Sequence, residues 1–163
     1  MTMSREINHS FVVAILRELE LFSDLDDVSL VELGRFFKER VFDQQEVIFE
    51  EANIGSSMMI IASGEVRVSQ KTAPDTEEAL VILKKGDIFG EMALFEDLPR
   101  SATTIAHTSV IALEINREDF LNYINKNNQN GVKILLKLGR ILSSRLRETD
   151  AKLKAFVSLS QWL

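Results

Sequence analysis

The chain has 163 residues, a net charge of −6 and 45% hydrophobic against 27% charged residues, which fits a folded domain with a sizeable core and excludes disordered, collagen-like and low-complexity classes. With no cysteine and two histidines, His9 and His107, it has no means of building a disulfide scaffold, a thiolate metal site, a cysteine nucleophile or a multi-histidine metal centre. The acidic balance argues against binding nucleic acid by bulk electrostatics, no apolar run approaches the roughly 18 residues that cross a membrane, and the lack of cysteine makes the cytoplasm the default address.

From 10 to 38 the apolar residues Phe11, Ile15, Leu19 and Phe22, then Val28, Val31, Leu33, Phe36 and Phe37, recur at helical spacing. Ser23 and Asp24 interrupt the pattern, and Asp26 or Asp27 suits the N-cap of a second helix. Two short helices are expected. The run Phe11 to Leu16 lacks the basic start and small-residue cleavage site of a secretory signal.

From 39 to 116 the pattern changes to short β-rich runs: Val41-Phe42, Val47 to Phe49, Met58 to Ala62, Val66 to Val68, Ala79 to Leu83, Ala102 to Ala106 and Val110 to Ile115. Turn signals separate them at Asn53-Ile54-Gly55, Ser63-Gly64, Ala73-Pro74-Asp75 and Lys85-Gly86-Asp87. Many short strands at this spacing predict a small antiparallel barrel or jelly roll.

From 117 to 163 helices return. Asn116 with Asp119 reads as an N-cap arrangement, giving a helix through Tyr123 that Asn127, Asn128 and Asn130 break. A long helix is expected from near Gly131, with two apolar stripes. Ile134, Leu138 and Ile141 can face the barrel. Leu135, Gly139, Leu142, Leu146, Thr149, Leu153 and Phe156 step alternately by four and three, a heptad-like seam suited to a partner helix. The seam predicts a homodimer; the other reading is one wide face buried within the monomer. Thr149-Asp150 is either mid-helix or a hinge at which Asp150 caps a last helix.

The chemistry concentrates in Lys85 to Thr103. Gly86-Asp87 turns the chain, and Gly90 permits close backbone approach to a ligand. Glu91 to Phe95 suits a single helical turn, whose first N–H groups are open to an anion. Arg100 supplies a guanidinium fork for phosphate, Ser101 a hydroxyl donor, and Glu91 an acceptor for a sugar hydroxyl. Each residue alone has a bland reading, Arg100 as a surface residue after proline and Gly90-Glu91 as an ordinary turn.

Phe89-Gly90-Glu91-Met92-Ala93-Leu94 and Pro99-Arg100-Ser101-Ala102-Thr103 together resemble the phosphate-binding cassette of cyclic-nucleotide-binding domains, as found in catabolite-activator-type regulators, kinase regulatory subunits and nucleotide-gated channels. The similarity runs from about Leu21-Phe22 to Leu146-Arg147, through Glu46 to Phe49, Ile60 to Val66, Asp119-Phe120 and Arg145-Leu146. The resemblance implies an α+β fold: an antiparallel β-roll (jelly roll) flanked by N-terminal helices and C-terminal B and C helices, one domain over 1–163 without a helix-turn-helix. It implies that Arg100 binds the exocyclic phosphate oxygens, and that the backbone of Gly90, Glu91, Met92 and Ala93, with Phe89 and Ala102 alongside, cradles phosphate and ribose. The Glu91 side chain takes the ribose 2′-hydroxyl, and Ser101 reaches the phosphate or the base amino group. Thr149 and Asp150 stand where the family's C helix meets the base, although Thr149 also reads as a polar seam residue.

The sequence departs from the family where glycine is usual, with Gln45 before Glu46 and Ala52 after Glu51, and at Met59, where an aromatic is common. The expectation is a non-enzymatic sensor of cyclic AMP, with cyclic GMP second, needing no cofactor, acting as a homodimer on an effector protein and not on nucleic acid or membrane. The alternatives are an interaction module with a degenerate pocket and, further off, a metal-dependent jelly-roll enzyme.

Overall fold

The computed structural model describes residues 8–73 and 76–160. Helix α1 (His9–Glu18) begins at Asn8, whose side-chain oxygen accepts the Phe11 amide, and ends where Leu19 turns extended. It therefore stops short of the expected Ser23. Leu19 and Phe22 are still buried, but Phe22 belongs to a separate 3-10 turn, Glu20–Phe22. The inward face of α1 is Val12, Ile15 and Leu16.

Helix α2 (Asp27–Gly34) is capped by Asp26, which accepts the Ser29 amide at 2.8 Å. That bond, with the Ser29 hydroxyl after it, holds the Asp26 carboxyl below its ordinary value. Leu30 and Leu33 face inward, whereas Val28 and Val31 are 79% and 46% exposed. The expected apolar positions at Val28 and Val31 thus fall on the solvent side, because the cap sets the helix phase around Leu30 and Leu33.

Two four-stranded antiparallel sheets follow. The first runs in the order β1 (Lys38–Phe42), β8 (Val110–Asn116), β3 (Ser57–Ser63), β6 (Ile88–Phe89). The second runs β2 (Val47–Phe49), β7 (Thr103–Ala106), β4 (Val66–Ala73), β5 (Thr76–Leu83). The antiparallel β-roll is as expected, with β6 an additional strand too short to show a period. Of the expected turn at Ala73-Pro74-Asp75, Pro74 and Asp75 lie outside the described residues.

Strand β3 is buried on both faces, which explains its unbroken apolar run. Met58, Ile60 and Ala62 join Leu113 and Ile115 in a core with the helices, while Met59 and Ile61 meet Val66, Phe89 and Ala106 between the sheets.

Helix α3 (Arg117–Lys126) starts at Asn116, which accepts the Asp119 amide at 2.8 Å while its own amide donates to the Asp119 carboxylate. Helix α4 (Asn128–Ser160) begins three residues before the expected Gly131, so Asn127 alone makes the break. At Gly131 a Cβ would lie 2.9 Å from the Ile124 Cβ and carbonyl, so the glycine lets α4 pack against α3. Ile134 and Leu138 are buried in the helical core, and Lys133 and Lys137 donate to the Asp24 carbonyl and Ser23 hydroxyl. The helix is continuous through Thr149-Asp150, where the hinge reading is not met. Thr149 donates to the Arg145 carbonyl one turn back, and Asp150 caps nothing.

Candidate functional site

The cassette departs from β6. Gly90 has φ +71°, and a Cβ there would lie 2.6 Å from Arg100 Nη1 and 2.7 Å from the Phe49 ring, so only glycine fits both the conformation and the space. The expected helical turn is a 3-10 turn, Glu91–Leu94, which opens with the left-handed Gly90 as its cap. Leu94 and Ala93 are buried and anchor it.

Arg100 reaches back to this turn. Its Nη1 donates to the Gly90 carbonyl at 3.1 Å and its Nη2 to the Ser57 carbonyl at 2.8 Å. The guanidinium carbon lies 3.6 Å from the centre of the Phe49 ring. On another side Gly55 makes room, since a Cβ there would come within 2.1 Å of Nε. Burial pushes the Arg100 pKa down from its ordinary value, against the opposing pull of Glu114 and Glu91. An arginine nevertheless stays charged, and two carbonyls leave donors of its five-hydrogen fork for an anion.

Glu91 is only 8% exposed. Arg145 of α4 donates to its carboxylate at 3.1 Å through Nη1 and to the Ile88 carbonyl at 2.6 Å through Nη2. One guanidinium thus ties the long helix to both the strand and the turn of the cassette. The ion pair leaves lone pairs on Glu91 for a second donor.

These groups border a cavity of about 700 Å³. Its floor is the inner face of the second sheet, its end the cassette, and its roof α4. Phe89, Gly90, Glu91, Met92, Ala93, Arg100, Ser101, Ala102 and Thr149 all line it, so the structure brings these nine residues together around one cavity. Asp150 is exposed and does not line it, being about 100° further round the helix than Thr149.

The roof also holds Arg140, Ser144, Arg145, Glu148 and Lys152. Sequence reasoning missed these as site residues, because charged residues on a helix read as a solvated face. The four-residue steps from Ile141 through Arg145 to Thr149 carried the signal. Phe49, Gly55 and Ser57 were missed because nothing local ties them to a cassette some 40 residues later. Among the described residues no three histidines, cysteines or carboxylates lie close enough to hold a metal ion, and no helix is long and apolar enough to cross a membrane.

Residues 39–127 match the model of the cyclic nucleotide-binding domain family. The chain is 32% identical over 118 residues to the cyclic AMP receptor protein of Thermus thermophilus, covering 72% of this chain and 53% of that protein. It is also 32% identical over 149 residues to human cGMP-dependent protein kinase 2, covering 90% of this chain and 19% of the kinase. The chain therefore spans about half the length of the first relative and a fifth of the second. The solved Thermus thermophilus catabolite activator protein superposes with a TM-score of 0.73 at 30% identity, over 83% of this chain and 62% of that one. A cyclic nucleotide-binding domain from Methylobacillus flagellatus gives a TM-score of 0.78 at 22% identity over 88% and 81%, a likeness of fold.

Proposed function

The chain belongs to the cyclic nucleotide-binding domain family, and from that premise we propose that it senses cyclic AMP in preference to cyclic GMP, without catalysing a reaction. The observation that carries this reading is the placement of Arg100 against Gly90 in the cavity wall, a half-buried cation beside a short turn that lines the same space. In this reading Arg100 and the amides of Glu91 and Met92, beside the backbone of Gly90 and Ala93, hold the cyclic phosphate, Ser101 adds a hydroxyl at the rim, and Glu91 accepts the ribose 2′-hydroxyl. Phe89 and Ala102 pack against the sugar.

The preference for adenine rests on Thr149. Its hydroxyl proton is already given to the Arg145 carbonyl at 2.9 Å, so toward the cavity it offers lone pairs. Those suit the adenine amino group and not the guanine carbonyl at the same ring position.

The signal passes through α4. Glu91 is shared between the proposed ribose site and Arg145, so ligand and helix act on one carboxylate. A ligand that changes that pairing favours one seating of α4 over another, a shift of population in the sense that differential affinity requires. The exposed stripe Leu135, Leu146 and Leu153 supplies the surface for a second copy, and an effector protein reads the outcome.

Calorimetric titration with cyclic AMP, cyclic GMP and 5′-AMP tests the reading. Micromolar or tighter binding of cyclic AMP is expected, with cyclic GMP weaker and 5′-AMP negligible. Charge-assisted hydrogen bonds contribute about 1.5–3 kcal/mol, so Arg100→Ala should weaken binding roughly 10- to 150-fold. An unchanged affinity in that variant would rule out the assigned phosphate site. No binding of either nucleotide would favour the interaction-module reading.

A further inference from the structure

Strand register lays four side chains across the cavity floor in one row. Phe49 on β2 pairs with Thr104 on β7, Thr104 with Val68 on β4, and Val68 with Val81 on β5. All four line the cavity. Thr104 is the polar member of the row and is 5% exposed.

The Thr104 hydroxyl has a defined acceptor role. At the irregularity in the β2–β7 register its Oγ1 accepts the Phe49 amide at 3.0 Å. That bond fixes the oxygen and leaves the proton, for which no acceptor exists among the described residues. A buried donor without an acceptor is costly, and here the donor borders the cavity. Its neighbour Thr103 does not line the cavity: it accepts the Glu51 amide at 3.1 Å from the opposite face of the same strand.

Position along the row says what the proton meets. At one end Phe49 carries the Arg100 guanidinium, the proposed phosphate anchor. Thr104 lies one strand further on, about 5 Å, and beyond it Val68 and Val81 form an apolar seat suited to the face of a purine. Thr104 therefore stands where the sugar end of the base begins.

We propose that Thr104 is a ligand-reading residue, whose hydroxyl donates to a purine ring nitrogen, N7 or N3, at the inner edge of the base. Adenine and guanine share both acceptors, so Thr104 contributes affinity for purines and leaves the choice between the two to other groups. This inference rests on the cyclic-nucleotide reading above.

The test is titration of the wild-type protein, Thr104→Val and Thr104→Ser with cyclic AMP and its 7-deaza and 3-deaza analogues. Thr104→Val should bind cyclic AMP roughly three- to tenfold more weakly, and Thr104→Ser, which keeps the hydroxyl, within about twofold of wild type. The wild-type protein should lose a similar factor on one deaza analogue, and that analogue should bind Thr104→Val and wild type alike. The proposal is overturned if Thr104→Val binds cyclic AMP as wild type does, or weakens equally for all three nucleotides, which would place its effect at the Phe49 amide. It is overturned without any variant, should Thr104→Val fail to fold, if both deaza analogues bind wild type as tightly as cyclic AMP. A wild-type protein that binds none of them removes the cyclic-nucleotide reading itself, a result distinct from the loss of Thr104 alone.

Discussion

Among the described residues, two take the left-handed backbone conformation without being glycine: Gln45 at φ 71° and Ala52 at φ 68°. They are the positions where the sequence departs from the family's glycines, so the turns keep their geometry at a conformational cost. A left-handed non-glycine residue costs about 1–2 kcal/mol, and glycine's extra freedom in the unfolded chain returns roughly 0.4–1 kcal/mol of that. Ala52→Gly should therefore stabilise by up to about 1 kcal/mol, a rise of roughly 2–4 °C in melting temperature, measurable by calorimetry. Gly55 carries the opposite expectation. The three atoms nearest an added Cβ all belong to the end of the Arg100 side chain, so Gly55→Ala should fold with a melting temperature near wild type. It should bind cyclic AMP about tenfold more weakly, because the guanidinium loses its seat. Binding equal to wild type would show that Arg100 works from another position. Arg100 and Gly90 were legible in the sequence because their chemistry is local and their spacing short. Gly55 and Phe49 were not, since their role exists only once β2 is folded beside the cassette.

At the scale of elements, caps and periods were readable wherever the local signal was the one tertiary structure used. Asp26, one of the two candidates there, and Asn116 cap their helices, and the seven expected β-rich runs became strands. The misses have physical causes. The two residues of β6 show no alternation, and the long helix tolerates Asn128 and Asn130 in its first turn, where free amides favour such side chains. Asp26 also provides a pH test. Its folded-state pKa lies below the unfolded one, chiefly through the Ser29 amide, so its stabilisation is present above the unfolded value and lost as pH falls through the folded one. Asp26→Ala should melt below wild type at neutral pH, and thermal melts of the pair should converge under acid. A gap that persists below the carboxylate range would mean that the carboxylate is not the cap that matters.

Across the whole molecule, α4 carries exposed Leu146, Leu153 and Phe156 at 63%, 59% and 70% beyond the last core residue of the helix. A second copy laid along that stripe is the proposed dimer. Leu153→Glu combined with Phe156→Glu should give a monomer by sedimentation equilibrium, with the melting temperature of the monomer unit little changed because neither side chain is buried within it. A wild-type protein that is already monomeric at tens of micromolar would sink the dimer. The exposed apolar stripe Leu135, Leu146, Leu153 and Phe156 was legible from its spacing alone. Its division of labour was not: one ridge of the same helix roofs the cavity, and only packing shows which.

The seating of α4 also has a mechanical meaning. The helix is clamped at its start, where Ile134 and Leu138 are buried and Lys133 and Lys137 grip the turn after Phe22. It is held again at Arg145 by the cassette and is exposed from Leu146 to Ser158. The span from Arg145 to Ser160 is about 22 Å of rod that overhangs the cavity first, at Glu148, Thr149 and Lys152, and then extends past it. In the proposed mechanism a tilt of roughly 10° at the Arg145 tether would swing its tip by about 4 Å, making the helix a lever arm that pivots beside the cassette. Under that proposal, displacements too small to repack the roll would be magnified at the point furthest from the cavity.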